Sequence, residues 1–123
     1  MGSPVVHWEV MGKDADALRK FYASMFDWNF DIDNSMGYGM VAPDQDRSAE
    51  ERGIGGGIGE MPAGEPGYST FYVGVADVEG TLQQAEKLGG SRLMGPEQPM
   101  EGLEIGMFTD PEGNIVGLVK VPT

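Results

Sequence analysis

Val5-Val6-His7-Trp8-Glu9-Val10, followed after three residues by the run from Asp14 to Trp28, is the stretch that decides the reading of this 123-residue chain. Its first six residues have the composition of a strand. Asp14 then opens a helix in which Leu18, Phe21, Tyr22 and Met25 fall at i, i+3, i+4 and i+7, so the spacing predicts that these four face inward. The same script restarts 63 residues later. Thr70-Phe71-Tyr72-Val73-Gly74-Val75 repeats the strand, and Asp77 opens a helix with Val78, Leu82, Ala85 and Leu88 inward. Asp14 follows His7 at the same distance as Asp77 follows Thr70, which points to an internal duplication.

Outward from these two anchors, Trp28, Phe30 and Ile32 alternate with polar residues as in a strand with one buried face, and Asn34-Ser35 turns the chain. Tyr38 to Ala42 returns as a strand that ends at Pro43, and the charged run 44–52 reads as an exposed loop. The glycine-rich stretch Gly53 to Gly59 is expected to form a fourth strand, with Ile54 and Ile58 on one face and glycines leaving space on the other. Residues 61–67, with two prolines and two glycines, form a linker. In the second half Gly89-Gly90 is expected to give a left-handed helix cap, followed by a short strand Ser91 to Met94 and a loop Gly95 to Pro99. A strand Leu103 to Thr109, a turn Asp110-Pro111-Glu112-Gly113-Asn114 and a last strand Ile115 to Val119 complete it. Each half therefore reads β-α-β-β-β, an α+β organisation in one domain over 4–123, with modules 4–60 and 68–123.

A chain of this length buries enough surface to fold without staples, and it contains no cysteine, which removes disulfides, thiolate metal sites and thiol nucleophiles together. Eight Lys+Arg against twenty Asp+Glu give a net charge of −12, which disfavours nucleic acid and anionic membrane as partners. No run approaches the roughly 18 apolar residues of a membrane span, so a cytoplasmic protein is expected. Gly37 to Ala42 fits G-x-G-x-x-A, but Pro43 and a charged loop follow where a dinucleotide site needs a helix. The Gly53 to Gly59 run lacks the Gly-Lys-Ser/Thr of a phosphate loop.

His7 seven residues before Asp14, Phe21-Tyr22 followed by Phe26-Asp27-Trp28, and the Asp110-Pro111-Glu112-Gly113-Asn114 turn together resemble the vicinal oxygen chelate superfamily, the glyoxalase, bleomycin-resistance and extradiol dioxygenase fold. The resemblance implies two modules paired around a curved mixed sheet, with a cavity between them and the helices outside. It places the metal ligands of metal-using members at His7, near Gly56 or Gly57, at Thr70 and at Gly117. Three of those positions lack a strong ligand, and a divalent ion needs about three protein ligands, so neither metal nor other cofactor is expected.

Strand alternation puts Glu9 on the face of His7, and Tyr72 and Gly74 on the face of Thr70, while Val6, Trp8, Val10, Phe71, Val73 and Val75 take the opposite faces as core. The candidate ligand-binding residues are therefore His7, Glu9, Thr70 and Tyr72, with Tyr38, Met40 and Met107 as an apolar lining. The expected function is a metal-free protein that binds a small organic molecule, neutral or cationic and partly aromatic, in that cavity; a homodimer is left open. Two alternatives remain. One is a metal-dependent lyase, isomerase or dioxygenase using His7 with a carboxylate such as Glu9 or Glu104; the other is an interaction module with a vestigial cavity.

Overall fold

Two eight-residue strands, β1 (Val5–Gly12) and β4 (Tyr68–Val75), are each followed by a helix, α1 (Ala15–Phe26) and α2 (Val78–Lys87), in a computed structural model that describes residues 2–32, 37–42 and 53–121. The 63-residue offset holds at both ends of the strands and at the helix starts. It holds at the caps too. Oδ1 of Asp14 accepts from the backbone N of Ala17 at 3.1 Å, and Oδ1 of Asp77 from that of Gly80 at 3.0 Å, so each aspartate satisfies a first-turn N–H that has no partner within the helix. The expected Asn34-Ser35 turn, the stop at Pro43 and the 44–52 loop lie outside the described residues.

The chain divides into two compact units, one spanning His7–Ser69 and the other holding the residues through Val6 with Thr70 onward. In the His7–Ser69 unit, β3 (Gly56–Glu60) runs parallel to β1, and the short strand β2 (Gly39–Val41) runs antiparallel to β3. Glu9 and Met40 both lie opposite Gly57. Trp8 and Val10 share the opposite side with Gly56, fully buried Ile58 and Gly39, and α1 covers it through Leu18 against Gly12 and the Arg19 stem against Gly39. Gly56 is required there, because a Cβ would strike the Trp8 indole.

In the second unit the order is β4, β7 (Ile115–Lys120), β6 (Leu103–Thr109) and β5 (Ser91–Met100), parallel between β4 and β7 and antiparallel elsewhere. Its core is Val75, Val78, Leu82 and Leu118, with Val73 and Phe108 packed against it. α2 ends in a left-handed cap. Gly89 has φ +99°, and the backbone N of Gly90 donates to the carbonyl of Ala85 at 2.9 Å, the six-residue closure of a Schellman motif. In the 110–114 turn the Asp110 carboxylate gathers the backbone N–H groups of Glu112 and Asn114 and the Asn114 amide. These bonds, led by those from Asn114, hold its carboxyl below the usual range.

Five expectations need correction. The glycine-rich strand begins only at Gly56, so Ile54 lies before it and is exposed, while Ile58 is fully buried. α1 is rolled so that Ala15, Leu18 and Tyr22 face the sheet while Phe21 and Met25 face out; the Arg19 stem fills the space against Gly39 and Phe30 that a larger inward residue would need. Leu88 and Phe71 are exposed rather than core, Leu88 because it lies at the cap, beyond the last inward turn. The strand expected at 28–32 reduces to one bridge between Asp31 and Met40, since the rings of Trp28 and Phe30 pack as an aromatic cluster with Trp8, Tyr22 and Phe26. β5 runs through the stretch expected as the Gly95 to Pro99 loop: its register shifts between Met94, Glu97 and Met100, irregularities that an edge strand tolerates and that accommodate two residues without an N–H.

Candidate functional site

β1 has a β-branched and aromatic face toward α1, and this leaves His7 and Glu9 together on its other face. Glu9 is only 6% exposed, the one charged side chain among the buried described residues. A carboxylate so placed is costly unless hydrogen-bonded, and two phenols meet it: Tyr38 donates to Oε1 at 2.9 Å and Tyr68 to Oε2 at 3.1 Å. The Nε2 of His7 lies 3.1 Å from the same Tyr38 hydroxyl, with the two rings nearly parallel. A phenol has one proton. Since Tyr38 gives its proton to Glu9, it accepts from His7, which assigns neutral His7 as the Nε2–H tautomer. Burial lowers the His7 pKa from 6.5, which favours that neutral form. Burial first, then the charge and hydrogen bond of Glu9, push the Tyr68 phenol well above its ordinary value and keep it a donor.

The glycines of β3 make this arrangement fit. A Cβ on Gly57 would collide with Cε2 of Tyr38, and one on Gly59 would lie 2.9 Å from its Cδ1. Glycine at both positions seats the phenol across β3 and aims its hydroxyl at β1. Met40, two residues on, lies in register with Gly57 but is 40% exposed.

Of the residues expected from sequence, His7, Glu9 and Tyr38 are joined by hydrogen bonds within the His7–Ser69 unit. Thr70, Tyr72 and Met107 belong to the other unit. There Tyr72 and Met107 both lie opposite Gly117, and a Cβ on Gly117 would sit 2.6 Å from Cδ2 of Tyr72. Thr70 donates its hydroxyl to the carbonyl of Ile115 at 2.6 Å. Glu104, two residues from Gly106 in β6, alternates onto the α2 side, where Gly106 meets Val78 and Leu82. Tyr68 is the residue that sequence reasoning missed. Its position two residues before Thr70 and four before Tyr72, with the same parity, was the available signal.

The register can be compared with the positions at which the resemblance implies metal ligands. Glu9 faces Gly57 and Tyr72 faces Gly117, and Glu9 and Tyr72 are themselves 63 residues apart, so Gly57 and Gly117 are equivalent. Those four positions thus hold one imidazole, one hydroxyl already bonded to backbone and two glycines roofed by tyrosine rings. This set does not fit a divalent ion. Among the described residues no group of three or more His, Cys, Asp or Glu is placed to hold a metal.

The fold is that of the vicinal oxygen chelate superfamily, and the chain belongs to the glyoxalase-like domain family, which it matches over residues 9–119. It is 29% identical over 123 aligned positions to CFP32 of Mycobacterium bovis and of Mycobacterium tuberculosis, a protein that carries the name of a glyoxylase. That alignment takes in 95% of this chain and 45% of CFP32, so the chain spans about half the length of these relatives. A methylmalonyl-CoA epimerase variant from Streptomyces coelicolor, solved with 2-nitronate-propionyl-CoA, superposes with a TM-score of 0.65 at 16% identity, over 98% of this chain and 99% of the other. A glyoxalase/bleomycin resistance protein/dioxygenase superfamily member from Vibrio splendidus 12B01 gives 0.62 at 13% identity, over 98% and 100%. At such identities the likeness is one of fold. No described helix is long and apolar enough to cross a membrane.

Proposed function

We propose that this glyoxalase-like protein binds a small organic molecule without a metal, on the face that carries His7, Glu9, Tyr38 and Tyr68, with the two modules forming one domain of a cytoplasmic homodimer. The observation that supports this reading is the carboxylate of Glu9, 6% exposed and held at both oxygens by phenols that are in turn chained to an imidazole. Buried polar networks are costly to assemble, and one on a sheet face away from the helix is better explained by a ligand than by stability. Thr70, Gly57 and Gly117 at the ligand positions support the metal-free part, and no observation favours the metal-dependent alternative.

The ligand is neutral or cationic and partly aromatic. Glu9 contributes negative charge and the phenol and imidazole rings offer π faces. The coenzyme A esters bound by the Streptomyces epimerases carry phosphate charge, which a chain at −12 repels, so that substrate class is not carried over. A thermal-shift screen of organic amines and aromatic neutrals should find a compound that raises Tm by mass action. By calorimetry, Glu9→Gln should weaken a cationic hit by about 1–3 kcal/mol, the range for a hydrogen bond to a charged group. Unchanged affinity would remove Glu9 from the site. Stoichiometric metal after dialysis, lost in His7→Ala, would overturn the metal-free part.

A further inference from the structure

The second unit holds a pocket of about 290 Å³ between α2 and the end of β6, lined by none of the residues of the candidate site. One wall is the α2 stripe of Thr81, Ala85 and Leu88, at i, i+4 and i+7; the other is Phe108 with Pro111. An alanine in the middle of the stripe keeps the helix wall recessed. The chain leaving α2 passes directly against the second wall, since a Cβ on Gly90 would lie 2.6 Å from the carbonyl oxygen of Thr109 and one on Gly89 3.8 Å from Cγ of Pro111. That wall is preformed, because the bonds from Glu112 and Asn114 to the Asp110 carboxylate fix the turn that carries Pro111.

What the lining offers a guest is almost wholly carbon. Thr81 donates its hydroxyl to the carbonyl of Asp77 at 2.7 Å, the backbone N of Gly90 donates to the carbonyl of Ala85 at 2.9 Å, and the Asp110 carboxylate is bonded to its own turn. Polar atoms of the lining are thus satisfied within the fold, and a water there would find few of the partners that hold water inside a protein. Size narrows the guest further. The volume is roughly twice that of an apolar cavity of about 150 Å³ that takes up benzene, and lies at the floor of the roughly 300–1,000 Å³ range of small-molecule pockets. A protein partner would need a wider apolar surround, whereas the exposed positions along α2 and the turn include Gln83, Glu86, Lys87 and Glu112.

We propose that this pocket between α2 and the end of β6 binds a small uncharged aromatic molecule, a single or fused ring system the size of indole. The site is additional to the face that carries His7, Glu9, Tyr38 and Tyr68 and rests on none of that reading. An anionic relative of the same ring is excluded twice over: the lining has no spare donor for a carboxylate, and the chain carries a net charge of −12.

Indole titrated into the whole chain, observed by NMR at alanine, leucine and threonine methyls, should shift the resonances of Thr81, Ala85 and Leu88 with a Kd on the order of millimolar. Indole-3-acetate should bind roughly tenfold more weakly. Ala85→Leu should weaken indole roughly tenfold, because its added carbons occupy the space of the guest. Leu88→Ala, at a position 69% exposed and outside the core, should weaken it severalfold by removing a wall, whether or not a larger residue is tolerated at 85. Glu9→Gln should leave these shifts unchanged. Methyls of Thr81, Ala85 and Leu88 that do not move at several millimolar indole would overturn the site, as would shifts that survive both α2 variants or vanish in Glu9→Gln.

Discussion

The half that opens at Asp14 and the half that opens at Asp77 share the placement of their first strand, cap and helix start and use that plan for different ends. The second closes α2 over fully buried Val78 and Leu82, with Leu118 and Val75 beneath. Among its described residues the first has Ile58 as its one fully buried large aliphatic, lays rings on glycines beside it, and devotes its other face to a buried carboxylate and its donors. A shared strand-helix opening therefore does not mean equal energetics: one half is built as an aliphatic core, the other as a polar network on an aromatic base.

The sharpest way to break that comparison is at the helices. Leu82→Ala should cost about 2–5 kcal/mol in equilibrium urea unfolding, the range for truncating a fully buried leucine. On the network side, Gly57→Ala should cost about 1–3 kcal/mol, because the new methyl displaces the Tyr38 ring and its bonds to Glu9 and His7. Tyr68→Phe should cost about as much by removing a donor from Glu9, and a neutral result for both would mean that the network is not a structural unit. The caps test where the halves are alike: Asp14→Ala and Asp77→Ala should each cost about 1 kcal/mol, and a large inequality would undermine the equivalence of the two helix starts.

The pH dependence just below neutrality comes from the first half, at His7. Burial holds the folded pKa of His7 below 6.5, so the unfolded chain takes up its proton first, and the contribution of His7 to stability, complete above 6.5, is lost as the pH falls below it. Urea midpoints at about pH 7 and 5.5 should differ in wild type and converge in His7→Gln, whereas the Asp110 contribution is lost at lower pH, below its unfolded value of 3.8. The smallest effect is expected at Phe21→Ala, within about 0.5 kcal/mol for an exposed side chain, in contrast with Leu82→Ala on the other helix.

What could be read from sequence follows from how local each signal is. The caps, the Gly89-Gly90 stop and the strand Leu103 to Thr109 depend on a few adjacent residues and were found within a residue or two. The rotation of α1 was not, because periodicity locates an apolar stripe without saying which part of it is covered, and the Arg19 stem took an inward place that its charge disguised. β5 was shortened at Pro96 and Pro99, a sound rule for a central strand that an edge strand escapes. In the candidate site, His7 and Glu9 were legible from alternation along one strand. The Tyr38 bridge was not, since it depends on β2 crossing β3 where Gly57 and Gly59 leave a seat, a relation between residues about twenty positions apart.

Trp8 and Trp28, the only two tryptophans in the chain, have ring centroids 4.7 Å apart at an interplanar angle of 30°, and both lie in the His7–Ser69 unit. Two indoles that close and that skewed couple their strong far-ultraviolet transitions, so the far-ultraviolet circular dichroism should carry an exciton couplet superposed on the backbone signal and lost in Trp28→Phe. The molecule thus holds a native optical reporter confined to the half that carries Glu9. Fluorescence will register the melting of that half and be blind to local opening around Leu82, so agreement between emission and backbone dichroism becomes a direct measure of whether the two halves unfold as one.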